Sequence, residues 1–187
     1  MATESDRWQP TDVELVNQTR AGDHSAFHEL MDRHAPTLFA LAVALSGHAA
    51  DAEDIVQETF AGAFRGLGAF QGRATVKTWL TRILIRQTAR HHRAARKRKT
   101  TLVSLTETSH SDAWRPSPQS AADARMDVTA AIKTLGPEHQ EVVLLREIQG
   151  LSYEEMAEIL EIPRGTVESR LFRARRELQK RLKEYLD

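Results

Sequence analysis

Apolar residues recur along this chain at three- and four-residue intervals, the period at which side chains return to one face of an α-helix. Phe27, Leu30, Met31, Leu38, Leu41 and Leu45 form the first such stripe. Pro36 falls inside it and predicts a kink or a fresh helical start, and Ser46-Gly47 ends it. Asp51-Ala-Glu-Asp54 then reads as an N-cap with acidic first-turn residues, and Ile55, Val56, Phe60, Ala63, Phe64 and Leu67 continue a buried stripe. Gly66, Gly68 and Gly72 mark a loop. A third amphipathic helix is predicted from about Val76, with Val76, Trp79, Leu80 and Ile83 facing inward.

From about Thr100 to Ala122 the periodicity disappears. Thr, Ser, Pro and Asp dominate, with Pro116 and Pro118 near the end, so the segment reads as an interdomain linker. Helical patterning resumes near Asp123. Val128, Ile132 and Leu135 make one stripe, stopped by Gly136-Pro137, and Val142 to Ile148 make a strongly apolar helix ended by Gly150. Strand alternation, internal repeats and heptads are absent from the pattern. The predicted fold is all-α: two small helical domains joined by a flexible linker, with an N-terminal extension and first helix over 1–24, a helical bundle over 25–99, the linker over 100–122 and a second domain over 123–187.

The C-terminal segment carries the sharpest local signal. Ser152 with Glu155 three residues on is a capping box. A short helix through Leu160, the turn Glu161-Ile162-Pro163, and a helix from about Arg164 to Tyr185 have the spacing of a helix-turn-helix. Ala157 is small where two helices cross, and Val167 is apolar where the second rests on the first. Glu161 holds a turn position often given to Gly, so a positive φ there would strain it. The second helix exposes Arg164, Thr166, Ser169, Arg170 and Arg173, side chains able to read base edges or bind phosphates. The plainer alternative is a helical hairpin with solvated arginines.

Charge refines the picture. The net charge is zero, yet from Arg73 to Lys99 the sequence contains ten Lys or Arg and no Asp or Glu, directly after Asp51, Glu53, Asp54 and Glu58. An acidic face followed by a basic one suggests two different partners in one domain. The basic run suits a phosphate backbone. The preceding loop, Gly66 to Gly72, carries an aromatic and an amide and could hold an unstacked base. Trp79 could serve that role or simply pack in the core. The glycine spacing does not fit a dinucleotide fingerprint, and no strand precedes it. With no cysteine, disulfides, thiol sensing and Cys-containing zinc sites are excluded. The N-terminal residues lack signal-peptide regions and the longest apolar run is far below the ~20 residues of a membrane span, so a soluble cytoplasmic protein is expected.

These segments together resemble the extracytoplasmic-function (ECF) sigma factors of bacterial RNA polymerase. Asp51-Ala-Glu-Asp-Ile-Val-Gln-Glu-Thr-Phe60 is similar to their region 2 signature, Thr78-Trp79-Leu80-Thr-Arg82-Ile83 to the start of their promoter-melting helix, and Gly165-Thr-Val-Glu-Ser-Arg-Leu-Phe-Arg-Ala-Arg175 to their region 4 recognition helix. The resemblance runs from about Ala26 to Leu182. It implies that Asp51, Glu53, Asp54, Gln57 and Glu58 face the β′ clamp helices of core polymerase, with a further contact to the β flap. It implies that Phe70, Gln71, Gly72 and Arg73 lie in the loop that captures a flipped base of the −10 element, and that Lys77, Trp79, Arg82 and Arg86 lie along the helix meeting melted DNA. Arg164, Thr166, Ser169, Arg170, Phe172 and Arg173 would read the −35 element. Two departures stand out: a single aromatic, Trp79, where primary sigma factors place a Trp pair, and Arg86 where the group often has Asn. The implied role is promoter recognition and melting for transcription initiation, of a stress or envelope-type regulon, under an anti-sigma factor. No catalysis, cofactor or metal is expected. A dimeric helix-turn-helix repressor would need a dimerisation helix that is not evident, and a metal enzyme would need more than the adjacent His91-His92 or the scattered His24, His28 and His34.

Overall fold

The structure is a computed structural model that describes residues 9–103 and 130–186. All regular structure among these residues is helical. The N-terminal module comprises α1 (Asp12–Arg20), α2 (His24–Ser46), α3 (Ala49–Gly66), a 3₁₀ turn (Leu67–Ala69) and α4 (Val76–Val103); the C-terminal module comprises a helical turn at 130–133, α5 (Pro137–Glu147), α6 (Tyr153–Leu160) and α7 (Arg164–Leu186). The expected linker is described only over 100–103, where α4 continues through it; the rest of it, and the expected start of the second module with Val128, lie outside the described residues.

α1 opens on a capping box. The Thr11 hydroxyl accepts from Glu14 N–H at 3.3 Å, and the Glu14 carboxylate accepts from Thr11 N–H at 2.7 Å. Leu15 and Val16 bury its inner face, and Asp12 ties it to α2 through Arg33 (3.2 Å) and His34 (2.7 Å). α2 passes through Pro36 without a fresh start. Pro36 sits on the exposed face, so its ring projects to solvent and only one helical N–H is forfeited there. α3 begins at Ala49, two residues ahead of the acidic cluster; its N-cap is His48, which makes no side-chain cap bond, and Asp51 is a first-turn acid. Gly66 closes α3, and Leu67 to Ala69 form a 3₁₀ turn where a loose loop was expected.

The bundle core is built from Leu30, Leu41, Ile55, Phe60, Ala63, Leu80 and Leu84, all at most 5 % exposed. Three buried threonines each bond the carbonyl four residues back on their own helix: Thr19 to Leu15 (2.7 Å), Thr59 to Ile55 (2.7 Å) and Thr88 to Leu84 (3.0 Å). In the C-terminal module Pro137 is the first residue of α5, where its missing N–H costs nothing, so Gly136-Pro137 starts that helix as well as stopping the previous turn. Met156 of α6 and Val167 and Leu171 of α7 are fully buried and seat the two helices on each other and on α5.

The two modules are in contact. α4 packs along α6 and α2 meets α5, and the buried side chains of both modules form one continuous cluster.

Candidate nucleic-acid and polymerase interface

The helix-turn-helix forms as its sequence predicts. Ser152 Oγ accepts from Glu155 N–H at 3.2 Å, and Glu155 accepts from Ser152 N–H at 2.8 Å. Those bonds hold the Glu155 carboxyl below the usual carboxylate range, with Thr78 and Lys77 of α4 assisting against partial burial. α6 ends at Glu161 in the left-handed conformation, φ 56°, the sole non-Gly residue with positive φ among those described. Its N–H bonds Ala157 O, and the turn re-enters helix after Pro163.

On α7 the predicted DNA-reading residues divide. Ser169, Phe172 and Arg173 are exposed, and Arg173 makes no ion pair with the other described residues. Phe172 is 63 % exposed, with the Arg176 guanidinium over its ring at 5.8 Å. Arg164 is exposed but bridges Glu154 (2.7 Å) and Glu168 (2.9 Å). Thr166 is half-buried and accepts at its carbonyl from Ser169. Arg170 departs from expectation: it lies mostly covered between α7 and α5, paired with Glu138 at 2.9 Å. It also offsets the burial that raises the Glu141 carboxyl. That placement makes Arg170 a strut between helices more than a reader of bases.

In the N-terminal module Phe70 is buried (8 %) and packs on Trp79 with ring centroids 4.8 Å apart, so it supports the loop and does not project from it. Gln71 and Arg73 line a cleft of ≈ 320 Å³ with Trp79 and Arg82. Gly72 takes φ 69°, which turns the chain at the cleft's edge. With Phe70 in its wall, five of the predicted −10 residues thus line one hollow. The structure adds Arg20, which the sequence gave no cause to single out: its Nε and Nη2 donate to Leu67 O (3.0 and 2.8 Å), and Nη2 also donates to Phe70 O. One guanidinium from α1 therefore anchors both ends of the segment leading into the cleft.

Lys77, Arg82 and Arg86 do not face open solvent alone. Each engages the C-terminal module: Lys77 Nζ donates to Gln149 O, Arg82 to Glu158 and Arg86 to Glu161. Of the predicted polymerase contacts, Glu53, Asp54, Gln57 and Glu58 are exposed on α3, whereas Asp51 is half-buried beside His91 at 3.6 Å. Gln57 borders an apolar groove of ≈ 600 Å³ between α2 and α3, lined by Phe27, Met31, Val56, Phe60 and Phe64. Phe64 is 45 % exposed, large for an aromatic at the edge of a core. Among the described residues no group of His, Cys, Asp and Glu is arranged to hold a metal, and no helix is long and apolar enough to cross a membrane.

Comparison with known proteins matches both modules. Residues 30–98 match sigma-70 region 2, and residues 125–178 match sigma-70 region 4. The chain is 35 % identical to the RNA polymerase sigma-H factor of Pseudomonas aeruginosa, over 95 % of this chain and 97 % of the relative. It is 34 % identical to the ECF RNA polymerase sigma-E factor of Escherichia coli, over 89 % of this chain and 92 % of the relative. Among solved structures it is similar to the sigma factor RpoE in complex with the anti-sigma factor NepR from Bartonella quintana, with a TM-score of 0.70, 30 % identity, and coverage of 84 % of this chain and 96 % of that one. It is also similar to CnrH in complex with the cytosolic domain of CnrY, with a TM-score of 0.68, 25 % identity, and coverage of 93 % and 97 %.

Proposed function

The chain belongs to the ECF sigma factors, and from that premise we propose that it binds core RNA polymerase and directs it to promoters by recognising −10 and −35 elements and opening the DNA. The observation that carries the reading is the presence, in order on one chain, of both sigma-70 regions, matched to relatives over nearly their whole length. Sigma factors are initiation factors and not enzymes, and no bond is made or broken by this chain's own residues.

The division of labour follows the geometry. Glu53, Asp54, Gln57 and Glu58 would meet basic polymerase surface, with Phe64 and the neighbouring groove supplying apolar contact. Region 4 would meet duplex DNA through α7. Arg173 is free to bond base edges or phosphates, the exposed Ser169 hydroxyl would exchange its bond to Thr166 O for one to DNA, and Phe172 offers a ring for a thymine methyl. In region 2 the cleft beside Trp79 would take an unpaired base, flanked by Gln71, Arg73 and Arg82. Stacking in such a site is worth ~1–3 kcal/mol per base, comparable with the few kcal/mol that unstacking costs. Trapping the open strand would shift the melting equilibrium without chemistry. One structural relative is captured with a partner named an anti-sigma factor, and control by such a partner is proposed here.

Run-off transcription with core polymerase and a pool of promoter fragments tests the reading. Specific transcripts that need this protein are expected; absence of both transcripts and polymerase binding would overturn it. Arg173→Ala is expected to weaken −35 recognition by ~1–3 kcal/mol. Unchanged promoter affinity would remove Arg173 from the interface.

A further inference from the structure

Arg164 opens α7, where a cation is out of place: positive charge on the first residue of a helix opposes the macrodipole. Its partner Glu168 lies four residues on, and a cation placed before the acid is the weaker order for such a pair on a helix. Helix stability therefore does not account for the pair. The hydrogen bonds suggest what does. Arg164 Nε donates to Glu168 Oε1 at 2.9 Å, and Nη1 lies 2.7 Å from Glu154 Oε1 on α6. Reading a guanine takes two parallel N–H groups, either Nε with Nη2 or Nη1 with Nη2. Each of those forks has lost one limb to a carboxylate. Arg164 is thus engaged within the protein, as a tie that runs from α6 to the carboxylate of Glu168.

Glu168 is the fifth residue of α7, in the part of a helix-turn-helix's second helix that meets base edges. It is exposed. It shares one flank of α7 with Phe172 a turn further on, and the two line a hollow of ≈ 470 Å³ with Tyr153 and Arg176. A carboxylate offers a phosphate no donor and repels its charge. In the major groove the base edge that suits it is the N4 amine of cytosine, a donor. The Arg164 guanidinium beside it offsets the repulsion from the DNA backbone and fixes the direction of the side chain.

We infer that Glu168 is a specificity-determining residue that accepts a hydrogen bond from a cytosine N4 amine in the −35 element, and that Arg164 is the positioning residue that aims it.

The inference rests on the assignment of α7 to the −35 element, and its test separates the two. Core polymerase carrying the full chain selects from promoter duplexes randomised over the −35 element, and the bound DNA is sequenced. Wild type should enrich a motif with one position held as cytosine by about tenfold over the other bases. Glu168→Ala should flatten that position alone. Glu168→Gln should turn it to adenine, whose N6 and N7 a side-chain amide reads. Arg164→Ala should weaken the cytosine preference without changing its identity, and should add nothing at that position on top of Glu168→Ala. A wild-type motif that lacks such a position, or one that Glu168→Ala leaves unchanged, would overturn the inference while α7 keeps its role. Placing 7-deazaguanine opposite the cytosine then tells the two side chains apart. It removes the N7 acceptor that an arginine fork needs and leaves cytosine N4 in place, so wild-type affinity should hold. A loss of affinity that disappears in Arg164→Ala would make Arg164 the reader and overturn the assignment to Glu168. Failure of the wild type to enrich any motif would sink the proposed function, and the inference with it.

Discussion

Arg20 offers a sharp check on how the Trp79 cleft is held. Its guanidinium satisfies two carbonyls, those of Leu67 and Phe70, on residues only 5 % and 8 % exposed. Removing the donor leaves both acceptors in a largely covered setting, each costing ~1–3 kcal/mol. Arg20 itself lies at the surface, so water can reach part of the gap and the lower end applies, giving about 2 kcal/mol for Arg20→Met. With a urea m-value of about 2 kcal/mol/M, the unfolding midpoint falls by about 1 M. A lysine keeps the charge but has no planar fork, so Arg20→Lys should bond one carbonyl at a time and recover about half the loss. Circular dichroism of urea titrations measures both. A Trp8→Phe, Trp114→Phe background isolates Trp79, whose emission should shift as Phe70 loosens against it. A destabilisation under about 0.5 kcal/mol for Arg20→Met, with Trp79 emission unchanged, would refute the anchoring role.

Three further outcomes are expected. Met156→Ala removes a fully buried side chain from the centre of the helix-turn-helix and should cost ~2–5 kcal/mol, read by thermal unfolding; a loss below that range would mean the site collapses around the gap. Asp54→Arg reverses an exposed charge on α3 and should reduce binding to core polymerase in pull-down or size-exclusion assays while helicity stays unchanged; normal assembly would take Asp54 out of that surface. Glu155 has its carboxyl held below the ordinary 4.5 by the Ser152 N–H first, with Thr78 and Lys77 contributing, so the stability it supplies is full above that value and fades as pH falls through the lower folded value. The gap in melting temperature between wild type and Glu155→Gln should therefore be present near neutrality and close below pH 4.5; a gap independent of pH would contradict that origin.

The helix-turn-helix was legible almost residue by residue, because its signals are local: the Ser152 and Glu155 box, the turn at Glu161 and the apolar positions of α6 and α7 all act within a few residues of one another. The bundle was legible in its stripes but not in its ends. Asp51 looks like a cap because Asp caps often, yet α3 starts one turn earlier at His48-Ala49, where no side chain announces it. Pro36 looks like a break, but its exposed position lets α2 run past. α1 carried a readable signal in Thr11 and Glu14 that periodicity over so short a helix does not amplify. The residues of the Trp79 cleft were legible as a set, whereas the inward turn of Phe70 onto Trp79 and its anchoring by Arg20, fifty positions away, depend on tertiary contacts. Arg170 and the α4 row show the general reason: a sequence displays where charge lies, while the carboxylate that meets it is chosen by tertiary packing.

Three of the buried threonines of the N-terminal module have an evolutionary consequence. Thr19, Thr59 and Thr88 each spend their hydroxyl on their own helix, so none dictates which atom a neighbouring helix must present. Exchange for valine at these places keeps the shape and deletes only a local bond that the backbone does not require. Inter-helix recognition at these positions is then a matter of volume alone, and neighbouring aliphatic residues can drift together without passing through a state with a stranded polar partner. A lineage built on such a core can wander to 30 % identity, as this chain and its Bartonella quintana neighbour have, while the fold is kept.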